Sequence, residues 1–193
     1  MRVLIVDDES LIRMDLRDII ESCGHEVVAE GTNGVEAIQL CKQHKPDIIL
    51  MDVKMPELDG IEAARQIGFH HEAPVVLLTS YSQQDLIDKA RDSGVYGYLI
   101  KPVREEQLVP TLEMALGRYK SDAQLREKMA ELEQSLEDRK IIQKGTGILM
   151  ELYSISEEEA YNRIRALSMK KRDSIVNICL LYTSPSPRDR SLS

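Results

Sequence analysis

Asp7, Asp8, Asp52, Thr79 and Lys101 share one sequence context: each comes directly, or one residue later, after a short apolar run. Arg2 to Val6 precedes Asp7-Asp8, Ile48 to Met51 precedes Asp52, Pro74 to Leu78 precedes Thr79, and Gly97 to Ile100 precedes Lys101-Pro102. Continuous β-branched and apolar runs of this length read as strands buried on both faces. Pro56 forbids the third run to continue past Asp52, and Asp59-Gly60 marks a turn. In an open α/β sheet, ligands sit at the carboxyl ends of the strands. Three carboxylates gathered there repel one another, by up to about 4 kcal/mol per pair at an effective dielectric near 20. Such a cluster demands a cation or a raised pKa. An oxygen-only donor set of Asp7, Asp8, Asp52 and the Lys54 backbone carbonyl suits Mg²⁺, which keeps waters and accepts a phosphoryl oxygen. Lys101 adds a second positive charge, and Thr79 a hydroxyl able to bond a phosphoryl oxygen. A carboxylate nucleophile with these neighbours is an acceptor for phosphoryl transfer to Asp52.

The elements that position these residues follow from periodicity. A helix runs from a Ser10 cap through Leu11, Ile12, Leu16, Ile19 and Ile20, with Gly24 as its stop. Glu26 to Glu30 reads as a second strand. Asn33-Gly34 opens a helix through Ala37, Ile38 and Cys41 that ends before Pro46, and another spans Leu58 to Ile67. Asp85 to Arg91 reads as a further helix. Glu105 to about Arg118 is the last helix of this unit, its first turns delayed or bent by Pro110. Five strands alternating with five helices predict a doubly wound parallel sheet of flavodoxin-like order 2-1-3-4-5. In that order the first and third strands flank the switch point, so Asp7-Asp8 and Asp52 face each other across one crevice.

Asp7-Asp8-Glu9, the run Met51 to Gly60, Leu78-Thr79-Ser80 and Tyr98-Leu99-Ile100-Lys101-Pro102 closely resemble the receiver domain of two-component response regulators. The resemblance covers residues 1 to about 118. It implies that Asp52 accepts phosphate from a histidine kinase and that Asp7 and Asp8 hold Mg²⁺. It further implies that Lys101 pairs with the phosphoryl group across a cis Lys101-Pro102 peptide, Thr79 is the switching hydroxyl and Tyr98 the switching aromatic. Phosphatases of the haloacid dehalogenase type also place an aspartate nucleophile after a strand but need a second acid two residues on. Lys54 stands there, and that reading is rejected.

Tyr119 to Lys140 is charged, free of Gly and Pro, and rich in helix formers. Leu125, Met129, Leu132 and Leu136 are spaced as an a/d seam of barely two heptads, which fits either a dimer seam or packing on the protein's own domain. Ile141, Ile142, Gly145, Ile148, Leu149 and Leu152 continue one helical face, where Gly145 and Gly147 each cost about 1 kcal/mol unless another helix approaches closely. Ser156-x-x-Glu159 is a capping box opening a helix that buries Ala160, Ile164 and Leu167, and Lys170-Lys171-Arg172 reads as a basic turn before a third helix. The run Arg139 to Glu151, with Ser156 to Tyr161 and Ala166 to Met169, resembles the ANTAR domain, a small helical RNA-binding module that acts in transcription antitermination. Where that family has Ala-Lys-Gly, this chain has Gly145-Thr146-Gly147. Lys144, Arg163, Arg165, Lys170, Lys171 and Arg172 are candidates for phosphate contacts, and Tyr161 for stacking on a base. Residues 179–193 place Pro185 and Pro187 where the third helix should run; they read as a non-native tail, a translated sequencing-adapter read-through that truncates the module near Ile178.

Composition sets the outer bounds. Hydrophobic content of 42% and charged content of 30% fit globular domains. Three cysteines without a C-x-x-C pair indicate neither a disulfide framework nor a zinc site, which suits a reducing cytoplasm. No apolar run reaches the roughly 18 residues of a membrane span, so no membrane association is expected. Residues 1–118 hold 12 Lys and Arg against 21 Asp and Glu, whereas residues 119–193 hold 13 against 12, which suggests domains with different partners. The expectation is thus a receiver over 1–118, a helical linker over 119–138 and an ANTAR-like module over 139–178. Its partners would be a histidine kinase and structured RNA in nascent-transcript hairpins, with a homodimer forming on phosphorylation. It is not an enzyme in the turnover sense. The rivals are a phosphorylation-controlled DNA-binding factor and a protein-docking regulator.

Overall fold

In the computed structural model, residues 1–70, 72–80 and 94–183 are described. Five strands, β1 (Arg2–Val6), β2 (Glu26–Gly31), β3 (Ile48–Asp52), β4 (Val75–Thr79) and β5 (Val95–Ile100), pair in parallel in the order β2-β1-β3-β4-β5. Alternation splits the three central strands between two layers. Leu4, Val6, Ile49, Met51, Val75 and Leu77 pack toward α2 (Gly34–His44) and α3 (Gly60–Phe69). Val3, Ile5, Ile48, Leu50, Val76 and Leu78 pack toward α1 (Ser10–Ser22) and the start of α4 (Glu105–Tyr153). The doubly wound sheet expected from the apolar runs is the observed fold.

Local chemistry sets the element ends. Asn33 caps α2 by accepting the Glu36 N–H at 2.9 Å, and Asp59 caps α3 by accepting the Glu62 N–H at 2.8 Å. Asp59-Gly60 is therefore a helix start rather than a free turn. Ser10 is not a cap: Glu9 occupies that position without a side-chain bond, and Ser10 is the first helical residue. Leu11 does not join the buried face of α1 either. It is 73% exposed, and Leu16 and Ile20 carry the burial.

The largest departure from the sequence reading is α4. No break occurs near Arg118; the helix runs unbroken over 49 residues and carries Pro110 inside. Pro110 lies in the second turn, so only the bond to the Glu106 carbonyl is missing, and helix continuity on the far side outweighs that loss. The chain divides into two compact units, Met1–Ala123 and Gln124–Ser193, and α4 contributes to both.

In the second unit, the end of α4, α5 (Glu157–Lys171) and α6 (Ile175–Thr183) enclose Leu149, Ala160, Ile164, Ile178 and Cys179. Ser156 caps α5 by accepting the Glu159 N–H at 3.3 Å, while the Glu159 carboxylate turns to Arg163 at 2.8 Å. Gly145 lies directly against Cys179: an added Cβ would stand 2.7 Å from the Cys179 Cβ. Gly147 meets nothing, so its propensity cost is not offset by packing. Leu152, read as part of the buried face, is 67% exposed. The third helix does not stop at Ile178. Cys179 to Thr183 contain no helix breaker, the helix continues through them, and Cys179 is fully buried. Ser184 onward and the predicted helix at Asp85 to Arg91 lie outside the described residues.

Candidate functional site

Asp52 is the last residue of β3, Thr79 the last of β4, Asp7 directly follows β1 and Lys101 directly follows β5. Parallel pairing brings the four to one edge of the sheet, with Val6 level with Met51, Asp52 with Leu78, and Thr79 with Ile100. The loop after β3 is shaped by Gly60, whose N–H donates to the Val53 carbonyl at 2.9 Å and whose Cα sits where any Cβ would overlap the Asp52 carbonyl oxygen. Glycine is required there by contact, and the same loop returns Glu57 at a φ of 63°.

Lys101 Nζ lies 2.7 Å from Asp7 Oδ2 and 2.8 Å from Asp52 Oδ1. The Lys101–Pro102 peptide is cis. Asp7 is fully buried and Asp52 nearly so. Burial pushes the Asp52 carboxyl above its ordinary range and the Asp7 charge adds to this, against the opposing pull of Lys101 and of the Lys54 N–H, which donates to Asp52 Oδ2 at 3.1 Å. Burial works against the Lys101 charge, but its bonds to Asp52 and Asp7 outweigh that and hold the amine above its usual value. Thr79 is buried, its hydroxyl donating to the Ser80 carbonyl at 3.1 Å. Tyr98 is 48% exposed and lines a surface hollow with Ile100, Pro102, Arg104 and Thr111.

The acid cluster is tighter in two members than in the third. Asp7 and Asp52 share one ammonium group, whereas Asp8 is exposed, and among the described residues no three acids, histidines or cysteines come together as a metal site. The residues nevertheless fit a hard divalent cation. Asp7 Oδ2 is buried, among the described residues it faces the Lys101 ammonium at 2.7 Å, and every candidate donor atom is oxygen.

Two residues absent from the sequence reading complete the surroundings. Arg13 donates from Nη1 to the Asp7 carbonyl at 2.7 Å and from Nε to Glu30 at 3.1 Å, and Arg17 donates to the other Glu30 oxygen at 2.7 Å. The only signal available in sequence was Arg13 lying shortly after Asp7, in the first turn of a helix whose orientation the sequence does not give.

In the second unit, Lys144, Tyr161, Arg163, Arg165, Lys170, Lys171 and Arg172 are all exposed, on α4, on α5 and at the α5 C-cap. Tyr161 and Arg165 lie one turn apart on α5. Arg163 is already engaged, paired with Glu159 and lying 5.6 Å over the Tyr153 ring. Lys170 and Lys171 occupy the last turn of α5, where cations also complement the helix dipole. Thr146 is buried and donates to the Ile142 carbonyl at 2.8 Å. Leu125, Met129, Leu132 and Leu136 are each more than half exposed, so among the described residues nothing covers the seam.

Comparison with known proteins agrees with this geometry. The model of the response regulator receiver domain matches residues 3–113, and that of the ANTAR domain residues 130–180. The chain belongs to the response regulators. This regulator is 40% identical over 190 residues to the transcriptional regulatory protein PdtaR of Mycobacterium tuberculosis, covering 97% of this chain and 93% of that one. It is 40% identical over 112 residues to the chemotaxis protein CheY of Thermotoga maritima, covering 58% of this chain and 93% of CheY. Among solved structures, the signal receiver domain of a modulated diguanylate cyclase from Desulfovibrio desulfuricans G20 matches with a TM-score of 0.58 and 34% identity. That match covers 62% of the regulator and 96% of the other chain. The protein is thus a receiver joined to an ANTAR module, a response regulator with an RNA-binding antitermination role, and both matched domains are regulatory rather than catalytic.

Proposed function

We propose that Asp52 accepts a phosphoryl group from the phosphohistidine of a kinase and that this event controls RNA binding by the second unit. A carboxylate oxygen of Asp52 attacks phosphorus, the P–N bond breaks, and the imidazole leaves with the bonding pair and takes up a proton. Asp7, Asp8, Asp52 and the Lys54 carbonyl would hold Mg²⁺, which supplies neutralisation of the charge that gathers on the phosphoryl oxygens. Lys101 exchanges a carboxylate partner for a phosphoryl oxygen, and Thr79 turns its hydroxyl from the Ser80 carbonyl to the same group. Tyr98, half exposed on β5, reports that rearrangement to the surface. The observation that carries this reading is Lys101 Nζ shared between Asp7 and Asp52 at the carboxyl edge of the sheet. Asp52→Ala is expected to abolish acyl-phosphate formation from acetyl phosphate and Mg²⁺; labelling that persists elsewhere in the chain would reject Asp52 as acceptor.

The output we assign to residues 139–178 with the helix that completes them, reached through a linker over 119–138 from a receiver over 1–118. The exposed Leu125, Met129, Leu132 and Leu136 seam supports pairing with a second copy on phosphorylation. The exposed Lys144, Arg165, Lys170, Lys171 and Arg172, with Tyr161 one turn from Arg165, support contact with a hairpin in a nascent transcript, which suits a cytoplasmic protein. Filter binding of structured RNA against duplex DNA across a salt series separates this from the DNA-binding and docking rivals. Phosphate contacts give a steep salt slope for the preferred nucleic acid, and a docking module gives neither.

A further inference from the structure

The Asp7 main chain and side chain carry four polar atoms besides the charge they present to the site, and three of these are tied. The N–H donates to the Gly31 carbonyl at 3.1 Å, the carbonyl accepts from Arg13 Nη1 at 2.7 Å, and Oδ1 accepts from the Glu9 N–H at 2.9 Å. Oδ2 alone is left for the site, buried and 2.7 Å from the Lys101 ammonium. The carbonyl held by Arg13 belongs to the peptide that leads into Asp8, so its orientation also sets where the Asp8 side chain can point. Arg13 is itself held: its side chain is 16% exposed, and its Nε is anchored on Glu30, which Arg17 fixes from the other side. A guanidinium is a rigid planar fork, so the bond to Glu30 fixes the direction of the bond to Asp7.

We propose that Arg13, braced by Glu30, is a positioning residue for divalent-cation binding: it locks the peptide between Asp7 and Asp8 so that Asp7 Oδ2 and the Asp8 carboxylate converge on one ion. The inference rests on the reading that these acids hold Mg²⁺. It deepens that reading by placing the control of affinity in a cation that never touches the ion. The sign of the effect separates positioning from simple electrostatics. Removing a positive charge near a cation site would by itself tighten binding, and loss of positioning weakens it.

The test uses the full chain and Mg²⁺ alone, titrated calorimetrically at a temperature where each variant is folded by circular dichroism. Arg13→Ala is expected to weaken Mg²⁺ binding about tenfold or more, the usual cost of losing an outer partner that orients a ligand. Arg13→Lys should fall between, because an ammonium can reach one anchor but does not fix the other. In acetyl phosphate labelling of Asp52, the Mg²⁺ concentration at half-maximal rate should rise by the same factor, with the rate at saturating Mg²⁺ unchanged. If Arg13→Ala does not fold, Arg13→Lys, which keeps the positive charge and loses the planar fork, carries the same measurement. Unchanged or tighter Mg²⁺ binding in a folded Arg13 variant overturns the inference, as does a fall in the saturated rate with no shift in Mg²⁺ dependence. Failure of the wild-type chain to bind Mg²⁺ overturns the underlying reading of the acids, and that failure is visible before any variant is made.

Discussion

The receiver unit buries the apolar runs of three strands, with Val3 to Val6, Ile48 to Met51 and Val75 to Leu78 sealed between helices on both faces, whereas the described part of the second unit closes on five buried apolar side chains with Gly145 against one of them. Apolar area removed from water scales the driving force at about 25 cal/mol per Å², so the two units differ in depth of stability as well as in fold. The lesson concerns division of labour. A site whose carboxylates must be held against their own repulsion sits on the rigid, over-determined unit. The module that must meet a large flexible ligand sits on the shallow one, where ligand or partner adds stability by mass action.

Gly145→Val should have the largest effect on that comparison. The added atoms collide with Cys179, and small-to-large changes at a closed contact cost about 1–3 kcal/mol, a large share of what so small a core supplies. RNA retention on filters should be lost while acetyl phosphate labelling of Asp52 stays at the wild-type level; equal loss of both would show that the units are not independent. Thiol labelling sharpens the contrast next. Cys41 is buried in the receiver, and desolvation first, then the nearby Glu72, push its thiol up to about 12, so it should resist alkylation until global unfolding. Cys179 is equally buried but should react in mild urea, at least tenfold faster than Cys41, because each 1.4 kcal/mol of lower opening energy is a factor of ten. Equal rates would break the comparison.

Gly60→Ala tests the rigid side. Its Cβ would overlap the Asp52 carbonyl, yet the surrounding sheet is deep enough to absorb about 1–3 kcal/mol. Urea denaturation should show a lowered receiver midpoint with the fold retained, and Asp52 labelling should slow because its strand end is displaced. The smallest effects come from ion pairs. Arg163→Ala breaks an exposed pair with Glu159 and should change stability by less than about 1 kcal/mol at any pH. Glu30 is better shielded: burial works against its charge, but Arg17 and Arg13 outweigh it and hold the carboxyl below its ordinary value. A depressed carboxyl contributes stability above its unfolded pKa and loses it as pH falls through the folded one. The deficit of Glu30→Gln should therefore be present at pH 7 and close in acid, as read from thermal midpoints across a pH series.

What the sequence showed and hid follows the same division. Strands buried on both faces leave continuous apolar runs ending on a polar residue, so Asp7, Asp52, Thr79 and Lys101 were legible as one edge, and the sheet with them. The Arg13 to Glu30 brace was not, because it joins a helix to a strand end and leaves no local period. Leu11 misled because helical spacing does not say which neighbours cover a turn. The second unit was harder still. The last receiver helix was read as ending near Arg118, where the helix in fact runs on, and Cys179 belonged to a stretch whose prolines, lying further on, disguised a helix.

The contact between Gly145 and Cys179 turns position 179 into a size filter. With no Cβ on one helix and less than one atom's clearance beyond it, only a small side chain can stand opposite. A bulkier residue at 179 would push α6 off the end of α4 and open the cluster that Cys179 shares with Leu149, Ala160, Ile164 and Ile178.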